Sequence, residues 1–350
     1  MEKYELSERE KTILRYVIHQ FILTASPVGS RYIAKKYDLG LSPATIRNIM
    51  SDLEESGFLG HPHTSAGRTP TDKGYRFYVD SLMDPPELNL EEINIIENSI
   101  DSSINDTDEI LRITSLILSD LTKQLACVSY PKFDNAILTK IQLVQLSSTR
   151  ILVVLSIKSG LVKTITLEFD AEIIPERLES VQRLLNERLA GLRFSEIRKT
   201  FKERIKDQVF EELRPIIRVF LESAEEIFTD IKTAEKSIIT GAKNILRQPE
   251  FEDHEQFRSI IELIEDKDII LHIMDNKNTF DENEVLISIG RENLEKKLSD
   301  FSLVTKKYKI GQASGTLGIV GPKRMEYSKA VAAVVYVAEQ LSKELTGQKY

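Results

Sequence analysis

The residues with the most chemical potential lie between His61 and Pro70, which read H-P-H-T-S-A-G-R-T-P. Two histidines, one arginine and two prolines with almost nothing apolar make this stretch a loop. A metal site would use His61 and His63, but an H-x-H pair needs further Cys, His or carboxylate ligands. The remaining histidines, His19, His254 and His272, are distant in sequence, and no cysteine is near. A phosphate loop would need G-x-x-x-x-G-K-[ST] or G-x-G-x-x-G, and the stretch has neither. What remains is contact with a sugar-phosphate backbone. Small Thr64, Ser65, Ala66 and Gly67 let that backbone come close, and Arg68 carries a charge suited to a narrow minor groove. His61 and His63 shape the loop or touch the backbone. A polar hairpin tip with no partner is the alternative.

The segment before the loop, L-S-P-A-T-I-R-N-I-M-S-D-L-E-E-S-G (41–57), reads as a capped helix. Ser42 is the N-cap, Pro43 occupies the first helical position, and Gly57 is the left-handed stop. Ile46, Ile49, Met50 and Leu53 recur at helical spacing and mark the inner face. Ala44, Thr45, Arg47, Asn48 and Ser51 are left on the outer face. A recognition helix enters the major groove with its N-terminal residues. There Thr45 contacts a thymine methyl or a phosphate, Arg47 pairs with guanine and Asn48 with adenine. Asp52, Glu54 and Glu55 at the far end would be repelled by phosphates. The competing reading is the solvated face of an ordinary three-helix module.

The elements that must hold these residues follow from periodicity. Ser7-Glu8-Arg9-Glu10 is a capping box, and Ile13, Leu14, Val17, Ile18 and Phe21 predict a first helix. Ser30 caps a short second helix through Tyr37, which puts Ser30 and Arg31 at its start. Asp38-Leu39-Gly40-Leu41 turns into the third helix, completing a helix-turn-helix. Phe58-Leu59 and Arg68-Thr69 flank the loop as a two-stranded wing, and Pro70-Thr71 starts a fourth helix. The candidate DNA contacts are therefore Ser30, Arg31, Ser42, Ala44, Thr45, Arg47 and Asn48 from the helices. His63, Thr64, Ser65 and Arg68 come from the wing. Asp84-Pro85-Pro86 closes the unit.

Residues 90–126 read as helical. Apolar β-rich runs follow at 137–146, 150–157 and 161–169, with Lys158-Ser159-Gly160 as a hairpin turn. Residues 175–235 are helical and charged, 236–241 make a brief strand, and 242–274 are mostly helical. Strands return at 285–289, 302–310 and 316–320, before a final helix over 326–345. A sheet that starts, is interrupted and resumes predicts an insertion in an α+β multidomain chain. Gly311, Gly315, Gly318 and Gly321 lie between strands, so they predict a turn or bulge rather than a dinucleotide loop. No Ser/His/Asp, Cys/His or paired-carboxylate set has local support. The expectation is no enzyme, no metal and no cofactor.

Charge is uneven over the 350 residues, whose net charge is −8. Residues 1–80 hold 11 Lys+Arg against 10 Asp+Glu, and the remainder 36 against 45. Phosphate would repel the remainder but not the first unit. No apolar run reaches the ~18 residues of a membrane span. The charged N-terminus and the lone cysteine, Cys127, which its apolar neighbours mark as buried, predict a cytoplasmic protein.

Longer motifs carry a resemblance. P-V-G-S-R-Y-I-A (27–34) precedes the helix segment, and H-P-H-T-S-A-G-R-T-P-T-D-K-G-Y-R-F-Y-V-D (61–80) follows it. I-L-R-Q-P-E-F (245–251), I-G-R-E-N (289–293) and G-T-L-G-I-V-G-P-K-R-M-E-Y (315–327) lie further on. Together these resemble the HrcA family of bacterial heat-inducible transcription repressors. The resemblance implies an N-terminal winged helix-turn-helix (1–84) and a GAF-like antiparallel-sheet domain in two parts (90–174 and 281–345). It also implies an inserted helix-rich dimerisation domain (175–280). The implied activity is repression of chaperone operons by a homodimer on double-stranded DNA, at an inverted-repeat operator called CIRCE. Release on heat stress, and dependence on the GroE chaperonin for a competent repressor, are implied too. A metabolite sensor acting through the GAF-like domain is the alternative from another class.

Overall fold

The computed structural model describes residues 6–62, 67–100, 107–133, 135–158, 162–170, 172–206, 213–228, 237–266, 284–293, 295–311 and 313–347. Helix α1 spans Glu8–Thr24, α2 Ser30–Lys36 and α3 Pro43–Glu55. The strands β1 (Leu59–Gly60) and β2 (Thr69–Pro70) pair antiparallel, and α4 (Asp72–Ser81) follows. The capping box is formed: Ser7 Oγ accepts from the Glu10 amide at 3.4 Å, and Glu10 Oε2 accepts from the Ser7 amide at 2.7 Å. Thr71 caps α4 by accepting from the Gly74 amide at 3.1 Å.

Helices α5 (Leu90–Ile100) and α6 (Thr107–Thr122) come next. The helix expected to run through residue 126 stops at Thr122. Lys123 turns left-handed with φ +58°, and Leu125–Ser129 form strand β3. All five β3 residues are buried, so their unbroken apolar run carries no period by which to separate strand from helix.

A three-stranded antiparallel sheet follows, β4 (Leu138–Gln145), β5 (Arg150–Ile157) and β6 (Val162–Glu168), in that order. Among the described residues four helices come after it: α7 (Pro175–Leu189), α8 (Phe194–Lys206), α9 (Arg214–Glu222) and α10 (Ala224–Phe228). Of the predicted turn Lys158-Ser159-Gly160, only Lys158 lies within the described residues. The chain then returns with β7 (Ser237–Thr240), α11 (Ala242–Ile245), a 3-10 turn at Pro249–Glu252 and α12 (His254–Glu265). It ends with β8 (Val285–Ile289), β9 (Phe301–Ile310), β10 (Ala313–Pro322) and α13 (Tyr327–Gly347). The second sheet is antiparallel in the order β7-β3-β10-β9-β8. The described architecture is α+β.

Packing groups these elements differently from the expected boundaries. Ile151, Val153, Leu155 and Ile157 of β5 share a core with Val181, Leu185, Phe201 and Phe220 of the following helices. A division at 174/175 would cut through that core. Ile245, Phe251, Ile260 and Leu263, expected in the insert, instead pack under β3 and β9 against Leu125, Cys127, Phe301 and Leu303. Alternation shows that a strand has a buried face but not which element covers it, and here the nearest helices in sequence do so.

The break at Asp84-Pro85-Pro86 interrupts helix but not core. One buried cluster takes in Ile13, Leu14 and Val17 of α1, Ile46 and Leu53 of α3, and Tyr75 and Val79 of α4. It continues through Ile96, Leu111 and Leu118 to Val334, Val337 and Leu341 of α13. The glycine run is structural: Gly311 turns the β9–β10 hairpin with φ +59°, and a Cβ on Gly315 would lie 2.4 Å from the Tyr308 ring.

Gly74 tests this packing. Alanine normally favours a helix over glycine by roughly 0.5–1 kcal/mol. A Cβ on Gly74, however, would lie 2.2 Å from the Phe58 carbonyl oxygen. Gly74→Ala is expected to destabilise the fold by about 1–3 kcal/mol in urea unfolding, the overpacking sign rather than the propensity sign. A stabilised variant would show that α4 can slide away from Phe58.

Candidate nucleic-acid interface

The third helix is held as its sequence requires. Ser42 Oγ accepts from the Thr45 amide at 3.1 Å and lies 2.9 Å from Thr45 Oγ1. Pro43 opens the helix, and Gly57 follows it with φ +77°. Ile46, Met50 and Leu53 are buried and Ile49 is half-buried, which fixes the rotation of α3. Ser42, Ala44, Arg47 and Asn48 consequently face solvent, while Thr45 is half-buried. Arg47 has neither hydrogen bond nor ion pair among the described residues, so its guanidinium is available to a partner. Thr45 is partly committed to the cap.

The start of α2 departs from expectation. Gly29 is the N-cap and no side chain caps the helix, so Ser30 is its first residue and not its cap. A backbone bridge explains the shift. The Val28 and Arg68 amides each donate to the other's carbonyl at 2.9 Å, an isolated antiparallel bridge that ties the chain after Pro27 to the residue before β2. Gly67 makes this docking possible, because a Cβ there would lie 2.8 Å from Pro27. Exposed Arg31 and half-buried Ser30 then stand beside α3. Together with Pro27, Gly29, Arg47, Met50, Gly67 and Arg68 they line a recess of about 450 Å³. Arg31 and Arg47, neither with a partner among the described residues, and the Ser30 hydroxyl around one recess suit a backbone phosphate.

Arg68 behaves differently from the free minor-groove arginine expected of it. Its Nη2 pairs with Glu54 Oε2 at 2.7 Å, and Nη1 donates to His61 Nδ1 at 2.8 Å. Its side chain is only 17% exposed, and its buried Nε has no partner among the described residues. Glu54, set aside in the sequence as a repelling charge at the wrong end of α3, is thus the anchor of the hairpin arginine. Spacing could not show this, because the two residues meet only once the hairpin folds back over α3. His63, Thr64 and Ser65 lie outside the described residues.

The model of the HrcA protein C-terminal domain matches residues 108–331. A heat-inducible transcription repressor HrcA of Chlorobium phaeobacteroides strain BS1 is 42% identical over 98% of this chain and 99% of its own. The chain belongs to the HrcA family. The Chlorobaculum tepidum heat-inducible transcription repressor HrcA is also 42% identical, covering 99% of each chain. A crystal structure of a hypothetical protein aligns over 98% of this chain and 99% of its own, with a TM-score of 0.58 at 23% identity, and shows a related fold. No described helix is long and apolar enough to cross a membrane.

Two substitutions test the local geometry. Ser42→Ala is expected to cost about 1 kcal/mol of stability through the lost cap. Arg68→Ala and Glu54→Gln should each cost about 1 kcal/mol, since each breaks the same partly buried pair. In a double-mutant cycle the two losses should be strongly non-additive, and simple additivity would show that the pair contributes nothing.

Proposed function

We propose that this HrcA-family chain is a sequence-specific, DNA-binding repressor of heat-shock chaperone operons. Its N-terminal unit is read as a winged helix-turn-helix. The observation that carries the reading is Arg47, near the capped start of α3 and without a partner among the described residues, beside a recess it shares with Arg31. Arg47 and Asn48 read base edges in the major groove, while Arg31 and Ser30 meet phosphates. Arg68 holds the wing against α3 and lends part of its charge to the nearby backbone. His63, Thr64 and Ser65 are proposed as further DNA contacts.

The operator is an inverted repeat of the CIRCE type, bound by a homodimer. A unit of such low net charge attracts DNA weakly, and two copies double the contacts. The unit formed by β4–β6 and α7–α10 offers a surface for the second copy. One face of β4–β6 is covered by α7–α10, whereas Val144 and Val162 are exposed and Leu152 and Val154 half-buried on the other. The five-stranded unit is read as GAF-like, and the location as cytoplasmic. On heating, the dimer loses its DNA-binding form, and GroE occupied by other unfolded chains cannot restore it.

A footprint on genomic fragments upstream of chaperone genes, with and without chaperonin, tests the reading directly. Protection of an inverted repeat that strengthens with chaperonin is the expected result. An operator affinity that ignores chaperonin through a heat-shock cycle would remove the GroE step. Arg47→Ala should cost ~1–3 kcal/mol of operator binding and relax the base preference at one position. Arg68→Ala should lower the salt slope by less than the roughly one unit of a free phosphate-bound arginine, because Glu54 already neutralises it.

A further inference from the structure

Three stretches far apart in the chain meet where the N-terminal unit rests on the five-stranded sheet: T-D-K-G-Y-R (71–76), I-G-R-E-N (289–293) and P-K-R-M-E-Y (322–327). Asp72, the first residue of α4, accepts the Arg291 backbone N–H at 3.0 Å and pairs with Lys323 at 2.9 Å. Gly290 has φ +55°, and a Cβ there would lie 2.3 Å from Asp72 Oδ2, so the chain can receive that carboxylate only with glycine in place. One turn along α4, Arg76 Nε donates to Glu292 Oε1 at 2.8 Å, and Nη2 bonds both the same carboxylate and the Ile287 carbonyl. Glu292 is itself fixed by the Ile289 amide at 2.8 Å. Its bond to Arg76 raises the guanidinium further above its ordinary value.

Below these pairs the Tyr75 and Tyr327 rings lie 6.0 Å apart, with the Tyr327 hydroxyl bonded to Ser302 and the Lys323 carbonyl. A second anchor lies at the end of α1. Arg324 donates to the Ile22 carbonyl and pairs with Glu250, whose Oε2 is 3.1 Å from Nη2. Apolar contact alone would let one unit rotate on the other. The bidentate Arg76–Glu292 pair at one point, and at a second the Arg324 bond to the Ile22 carbonyl, with Arg324 itself fixed by Glu250, restrict that rotation, because their geometry is directional. Neither anchor touches the recess or the outer face of α3.

We infer that Asp72, Arg76, Glu292 and Lys323 are positioning residues for operator binding: they hold α3 at a set angle to the body of the protein and so set the half-site spacing that the repressor accepts. The inference rests on the reading of α3 as the recognition helix and of the protein as a dimer. In a two-fold repressor, spacing is fixed by the distance and angle between the two recognition helices. Those quantities are sharp only when each DNA-binding unit is rigid on the body that joins the two copies.

The test uses full-length protein and fluorescence anisotropy. Probes are duplexes bearing the footprinted repeat, the same repeat with its spacer changed in single base-pair steps, and one half-site alone. Wild type should prefer one spacer steeply. The Arg76→Ala/Lys323→Ala double variant should bind the half-site within about twofold of wild type, bind the preferred repeat about tenfold more weakly, and discriminate little between spacers. Arg76→Lys, which keeps one charged bond to Glu292, should recover part of the preference. Asp72→Asn, nearly isosteric, gives an independent reading if the double variant does not fold. Variants that fold, bind the half-site and retain the wild-type spacer profile overturn the inference. Wild-type protein that binds neither repeat nor half-site overturns the DNA reading and this inference with it, a result distinct from the former.

Discussion

A single buried apolar cluster, running from Ile13 and Leu14 in α1 to Val337 and Leu341 in α13, is the constraint on which the other features depend. A unit of about 80 residues buries a smaller share of its surface than a larger domain and is correspondingly marginal alone. Sharing its core with α5, α6 and α13 makes the N-terminal unit part of the body rather than a tethered module. The cost is that its orientation must be specified, since apolar surfaces are non-directional. Asp72 and Arg76 on one side, with Glu292, Arg291 and Lys323 on the other, supply that direction.

Electrostatics divides the labour further. The first 80 residues are close to neutral while the remainder is acidic, so the proposed DNA contact depends on a few arginines and not on a broad basic field. The structure sorts those arginines by their partners. Arg31 and Arg47 stand beside one recess. Arg68 and Arg76 are spent on Glu54 and Glu292, where they fix the hairpin and the unit. Identical side chains are thus left for the proposed recognition or committed to architecture according to whether a carboxylate has folded against them.

Local features were legible in advance because local forces decide them. The Ser7 box, the Ser42 cap, Pro43 and the left-handed Gly57 depend on neighbours within four residues, and each forms as read. The rotation of α3 was equally legible, since Ile46, Met50 and Leu53 leave one face to bury. The interior strand β3 is illegible in the sequence because L-A-C-V-S is buried on both faces and has no alternation to read. Ser30 does not act as the cap because the chain bridged at Val28 to Arg68, forty residues away, enters α2 one residue early, with Gly29 as the N-cap.

The sequence by itself determined the caps of α1 and α3, which face of α3 is buried, and which side chains can reach outward from it. Its long motifs also marked the family. Only the tertiary structure decided that β4–β6 pack with α7–α10, that Glu54 takes up Arg68, and that three distant motifs close one joint. The physical reason is the range of the interactions. Caps and periodicity act within a turn of helix, whereas partner choice across a core or an ion pair is settled by which surfaces the whole chain brings together.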